Sequence, residues 1–190
     1  MKRIFVIFLL PAVCCLPSLF IGCGGERLPD GMPRLYPATV TVMQDGKPLP
    51  EARVTMMNTD PAVNWPTGGT TDNNGVIRLM TMGRYSGAPA GTYRVYVSKI
   101  EMPEIPDILR SDPPTGPEGS PAPATRQEYN RLVQNINENS FYVVDPKFAL
   151  TPGNEGTSGL SVEITPSNFR VTVDVSPAVR IQTPAQFRGI

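Results

Sequence analysis

Pro37-Ala38-Thr39-Val40-Thr41-Val42-Met43-Gln44-Asp45-Gly46-Lys47-Pro48-Leu49-Pro50-Glu51-Ala52-Arg53-Val54-Thr55-Met56-Met57-Asn58 decides the fold class. In its first part Val40 and Val42 alternate with Thr39 and Thr41, the period of a half-buried strand. Asp45 to Pro50 is a turn, with Gly46 where a positive φ is needed. Alternation then resumes, with Ala52, Val54 and Met56 on one face and Glu51, Arg53 and Thr55 on the other. The stretch therefore predicts two strands joined by a turn.

Downstream, residues 59–69 hold Pro, Asn, Gly and the only tryptophan, Trp65, and read as a loop. Thr70-Thr71-Asp72-Asn73-Asn74-Gly75 is the strongest turn signal, because Asp and Asn bond their own downstream amides and Gly75 can adopt a left-handed conformation. A strand over Val76–Met82 comes next, with Ile77 and Leu79 inward. Ala88-Pro89-Ala90-Gly91 turns the chain into Thr92–Ile100, where Tyr93, Val95 and Val97 share a face. Four or five strands at this spacing predict an all-β sandwich or barrel. The 22 prolines and 17 glycines suit that class, and 40% apolar residues suffice for a core.

The periodicity breaks at residues 100–140, a Pro-rich insertion with seven prolines between Pro103 and Pro123, expected to be extended. Within it Thr125-Arg126-Gln127-Glu128 has capping-box spacing. Tyr129, Leu132, Val133 and Ile136 then recur at i, i+3, i+4 and i+7, predicting a short helix packed on the sheet. Gly159–Thr165 (Leu160, Val162 and Ile164 on one face) and Asn168–Ser176 (Phe169, Val171, Val173 and Val175) are two further strands. Pro166-Ser167 joins them in a hairpin-like connection, and residues 177–190 read as a tail.

Outward to the N-terminus, Lys2 and Arg3 precede a mostly apolar run from Ile4 to Ile21. Pro11 and Pro17 inside it disfavour the alternative of a spanning helix. Leu19-Phe20-Ile21-Gly22-Cys23 resembles the lipobox of a bacterial lipoprotein signal peptide, although Phe20 departs from the usual Leu. The resemblance implies a signal peptide over residues 1–22, lipidation at Cys23 and a tether over residues 23–35. Fatty-acyl chains on Cys23, such as palmitate, would supply the multiple anchors that stable membrane attachment requires. Secretion with Cys23 unmodified is the alternative. Cleavage would remove Lys2 and Arg3, taking 17 basic residues to 15 against 17 acidic ones, and leave Cys23 as the only one of the three cysteines. Gly24 carries no Asp-type retention signal, so the expected location is the outer membrane.

Composition limits the chemistry. No histidine is present, which excludes Ser–His and Cys–His nucleophile pairs and imidazole metal sites. The 17 basic and 17 acidic residues leave no basic excess to bind nucleic acid. Asp72, Asn73 and Asn74 could offer oxygens to calcium, but Val76–Met82 contains no acid to complete a site. Glu101, Glu104 and Asp107 are close in sequence, yet in a segment that reads as a solvated linker. Trp65 and Tyr85 are candidates for stacking on a sugar ring or peptide. No catalytic residue, metal or cofactor is expected, and the chain is read as not an enzyme.

Two sets of motifs carry a wider resemblance. The first is Val42 to Ala52, Gly69 to Gly75 and Ala88 to Val95; the second is Asp145-Pro146 with Thr157-Ser158-Gly159-Leu160-Ser161-Val162-Glu163-Ile164. In order and spacing they are similar to bacterial carboxypeptidase-regulatory-like, transthyretin-type lipoproteins. That implies a seven-stranded Greek-key sandwich over residues 36–176 on an envelope lipoprotein, a family whose molecular role is mostly undefined. The role expected for this chain is a non-catalytic structural or interaction module, with an envelope protein or polysaccharide as its partner. A carbohydrate- or peptide-binding accessory module is the alternative. Two enzyme families share the fold, the hydroxyisourate hydrolases and the intradiol dioxygenases. Both need histidines this chain lacks, despite a likeness of Phe187-Arg188-Gly189-Ile190 to the hydrolase C-terminus.

Overall fold

The computed structural model describes residues 27–106, 109, 123–150 and 158–185. The proposed signal peptide and Cys23 therefore lie outside the described residues, as do most of the prolines of the insertion. The described part of the chain is mostly β.

The alternating segments form the strands. β1 is Leu35–Tyr36, β2 Thr39–Gln44, β3 Lys47–Pro48 and β4 Arg53–Asn58. Next come β5 (Thr67–Thr70), β6 (Val76–Arg78), β7 (Met80–Thr81), β8 (Tyr85–Ser86), β9 (Ala88–Pro89), β10 (Gly91–Ser98) and β11 (Ile100–Glu101). Helix α1, Pro123–Glu138, leads to β12 (Phe141–Tyr142) and a 3-10 turn at Pro146–Phe148. The last strands are β13 (Ser161–Ile164), β14 (Arg170–Asp174) and β15 (Ile181–Gln182).

The main sheet runs β13-β10-β4-β5-β7-β8. In the facing sheet β2 pairs in parallel with β14 and antiparallel with β3 and β6, which take opposite ends of it. One apolar cluster lies between the two, with Val40 and Val42 from β2, Val54 and Met56 from β4, Tyr93, Val95 and Val97 from β10, Ile164 and Val173. Fully burying one such side chain contributes about 1.5–3 kcal/mol, so this layer dominates stability.

The expected strand over Val76–Met82 is broken in two. Val76–Arg78 pairs with β2, whereas Met80–Thr81 pairs with β5 in the other sheet. The crossing is at Leu79, whose amide donates to Ala38 O at 2.9 Å and whose side chain is buried. Ile77 and Leu79 both point inward, as their spacing predicts.

Four expectations are corrected. Thr67–Thr70, which takes in the end of the expected loop and the first residue of the expected turn, is a strand, because its backbone completes the ladder between β4 and β7. Phe169 is exposed, since it precedes the first β14 pair, and the Arg170 guanidinium lies 5.6 Å from its ring centroid. The Pro166-Ser167 connection is an arch between sheets, with β13 on β10 and β14 on β2. Residues 177–185 are not a loose tail: β15 pairs with β12, and the Thr183 amide donates to Ser140 O at 3.0 Å.

β11, β12 and β15 form a small three-stranded sheet. Helix α1 is longer than the short helix expected, and it buries Val133 and Ile136 as its spacing predicts. Tyr96 is also buried, although it points away from the core between Val95 and Val97. The 3-10 turn packs on β10, the strand that carries it.

Candidate functional site

The loop of residues 59–66 is built by local side-chain acceptors. Asn58 Oδ1 takes the Asp60 amide at 2.8 Å, and Asp60 Oδ1 takes the Ala62 amide at 2.9 Å. This sets Trp65, half-buried, just before β5. Thr67 Oγ1 donates to Trp65 O at 3.2 Å and lies 3.2 Å from Thr81 Oγ1, which donates to Gly87 O at 2.7 Å. Nearby, the Tyr93 hydroxyl donates to Pro89 O at 2.8 Å. Burial pushes the Tyr93 phenol above its ordinary pKa, with Asn58 and Thr67 pulling partly back.

These bonds hold Trp65 and Tyr85 on neighbouring elements, since β8 pairs Tyr85 with Thr81 and β7 pairs Thr81 with Thr67. The two aromatics do not form one stacking site. Trp65 lines a cleft of about 40 Å³ with Met57, Asp60 and Val63, and Tyr85 is not in that lining. The cleft is far below the roughly 300 Å³ at which small-ligand sites begin. Arg84 lies over the Tyr85 ring, 5.4 Å from its centroid.

The remaining polar candidates have structural partners. Asp72 Oδ1 accepts the amides of Asn74 and Val76, both at 2.9 Å, so the carboxylate closes its own turn. Gly75 has φ 69°, and a Cβ there would stand 2.8 Å from Val42 O. Glu101 and Glu104 are exposed, and Asp107 lies outside the described residues. Among the described residues no group of three acidic or sulfur side chains is placed to hold a metal.

Asp174 accepts from the Ser176 hydroxyl and, at 2.9 Å, from the Ser176 amide. The hydroxyl bond first, then the amide, holds the Asp174 carboxyl below its ordinary pKa. Ser176 Oγ in turn accepts the Asp45 amide at 2.8 Å, and Asp45 Oδ2 accepts the Ala178 amide at 3.1 Å. These bonds pin the Asp45-Gly46 turn to the end of β14. Asp145 is held low by the Lys147 amide at the start of the 3-10 turn.

Two larger depressions lie elsewhere, and sequence reasoning missed both. A cleft of about 410 Å³ separates α1 from the C-terminal segment, lined by Asn130, Gln134, Asn137, Glu138 and Gln182 over Val133. A trough of about 540 Å³ crosses the outer face of β4, β5 and β7, between Arg53 and Met82. The Gly68-Gly69 pair was its one sequence signal, because glycine inside a strand marks close backbone approach. No protein-family model, curated protein or solved structure matches the chain.

Proposed function

We propose that the chain is a lipid-anchored protein of the bacterial cell envelope, with a non-catalytic β-sandwich that serves as a structural or protein-interaction module. The observation that carries the reading is Leu19-Phe20-Ile21-Gly22-Cys23 at the end of an apolar run, ahead of a β domain whose first strand starts at Leu35. The finer assignment, a seven-stranded sandwich of transthyretin-like, carboxypeptidase-regulatory-like type, has support in the strand count. With β6 and β7 taken as one strand that changes sheets, the principal strands are β2, β4, β5, β6–β7, β10, β13 and β14. The absence of histidine and the exposed setting of Glu101 and Glu104 favour a non-catalytic role.

The test is an intact mass of the full chain from a lipoprotein-competent host, beside Cys23→Ser. The expected species begins at Cys23 and carries added acyl mass that the variant lacks. An unmodified chain, or one cut elsewhere, overturns the anchor. Membrane fractionation of the same cells then places it, the outer membrane being expected.

A further inference from the structure

The trough across β4, β5 and β7 has the makings of a ligand site. Its volume of about 540 Å³ is within the range of small-molecule pockets. Its floor is bare backbone at Gly68-Gly69, and this bareness is required, because a Cβ on Gly68 would come within 2.1 Å of Val54 O. One end carries apolar, adaptable groups: Met80, Pro66 and Met82, the last 53% exposed. The other end carries Arg53, with Thr70 opposite it in the ladder register.

Arg53 is the only charged side chain in the lining among the described residues, and no acidic partner takes its guanidinium there. A planar fork of donors left open at the end of an apolar trough matches a carboxylate or sulfonate. A glycine floor with thioether walls matches a flat apolar body. From this polarity gradient we propose that the trough binds a small organic anion with a flat apolar body. The anionic group meets Arg53, and the ring system lies on Gly68-Gly69 beside Met80, with Met82 beyond it at the end farther from Arg53. The site is made wholly by the sandwich, so it stands or falls separately from the membrane anchor.

The chain supplies its own reporter, since its single tryptophan, Trp65, adjoins Pro66 of the lining. The probe is anilinonaphthalene sulfonate, a flat apolar anion, added to the purified full chain, with energy transfer from Trp65 as the signal. The expected result is saturable transfer, weakened about tenfold or more by Arg53→Gln, the loss of a charge-assisted hydrogen bond. Met82→Asp weakens it comparably. Both residues are exposed, so the variants retain the wild-type thermal transition, which is checked alongside. Naphthoate displaces the dye, whereas neutral naphthylmethanol displaces it at least tenfold less well. Transfer unchanged by both variants means the dye sits elsewhere, lipid or the α1 cleft included, and overturns the site. Equal displacement by the alcohol overturns the anion requirement, and transfer that does not saturate overturns binding itself.

Discussion

Thr71→Val tests whether buried polar bracing holds the turn between β3 and β4. Thr71 is 4% exposed, and its hydroxyl makes two bonds to residues 49–52: it donates to Leu49 O at 2.8 Å and accepts the Ala52 amide at 2.8 Å. The backbones are also tied, Thr71 N to Ala52 O at 2.9 Å and Glu51 N to Thr71 O at 3.1 Å, around Glu51 at φ 56°. Valine keeps the shape and removes only the hydroxyl. Two buried groups are then left unpaired, Leu49 O and Ala52 N. Each costs about 1–3 kcal/mol, and the added methyl returns roughly 0.8 kcal/mol, so the net loss is about 3 kcal/mol. Against a total of about 5–15 kcal/mol this is a large fraction. With a urea slope of about 2 kcal/mol per molar, the midpoint falls by about 1.5 M. Thr70→Val, at an exposed neighbour, is the control and stays within about 0.5 kcal/mol. A Thr71→Val loss no larger than the control refutes the bracing argument.

Two further outcomes are expected. The Asp174 carboxyl is depressed by Ser176, so its stabilisation is present above the ordinary unfolded carboxylate value, about pH 3.9, and is lost as pH falls through the lower folded value. Ser176→Ala should therefore raise the Asp174 titration midpoint toward the ordinary value, read by carboxyl carbon NMR; an unmoved midpoint contradicts the assignment. Ile136→Ala, at a buried position of α1, should cost about 2–4 kcal/mol and speed amide exchange at Thr183 together with the helix. Unchanged exchange at Thr183 would show that α1 and the C-terminal segment do not open as one unit.

The features legible in the sequence were those a short window encodes. Val40 and Val42, Ala52, Val54 and Met56, and Tyr93, Val95 and Val97 alternate because one sheet face meets the core, and each is buried as its parity requires, whereas the buried Tyr96 breaks the pattern. The Asp72 turn was legible for the same reason, since Asp72 bonds amides only two and four residues ahead. Illegible features depend on partners far along the chain. Ile181-Gln182 shows no period, because two residues paired with Phe141-Tyr142 are too few to display one. Leu79 looked like the middle of a strand, and only the positions of β2 and β5 show that the chain changes sheets there.

The outer-face trough was hidden by a conflict of signals. Gly68-Gly69 lowers strand propensity, so the stretch read as loop, and reading it as loop removed any reason to ask which sheet face it floors. Yet the strand can form there only with glycine, because β4 approaches so closely that Val54 O occupies the place of a Gly68 Cβ. The lost propensity is offset by ladder bonds on both sides, to Thr55 and to Met80. The missing Gly68 side chain leaves the outer face bare between Arg53 and Met82, whereas a Cβ on Gly69 would face the buried Ile77. Gly68, which weakens the strand locally, thus permits both the close pairing of the sheet and the concavity on its outer face.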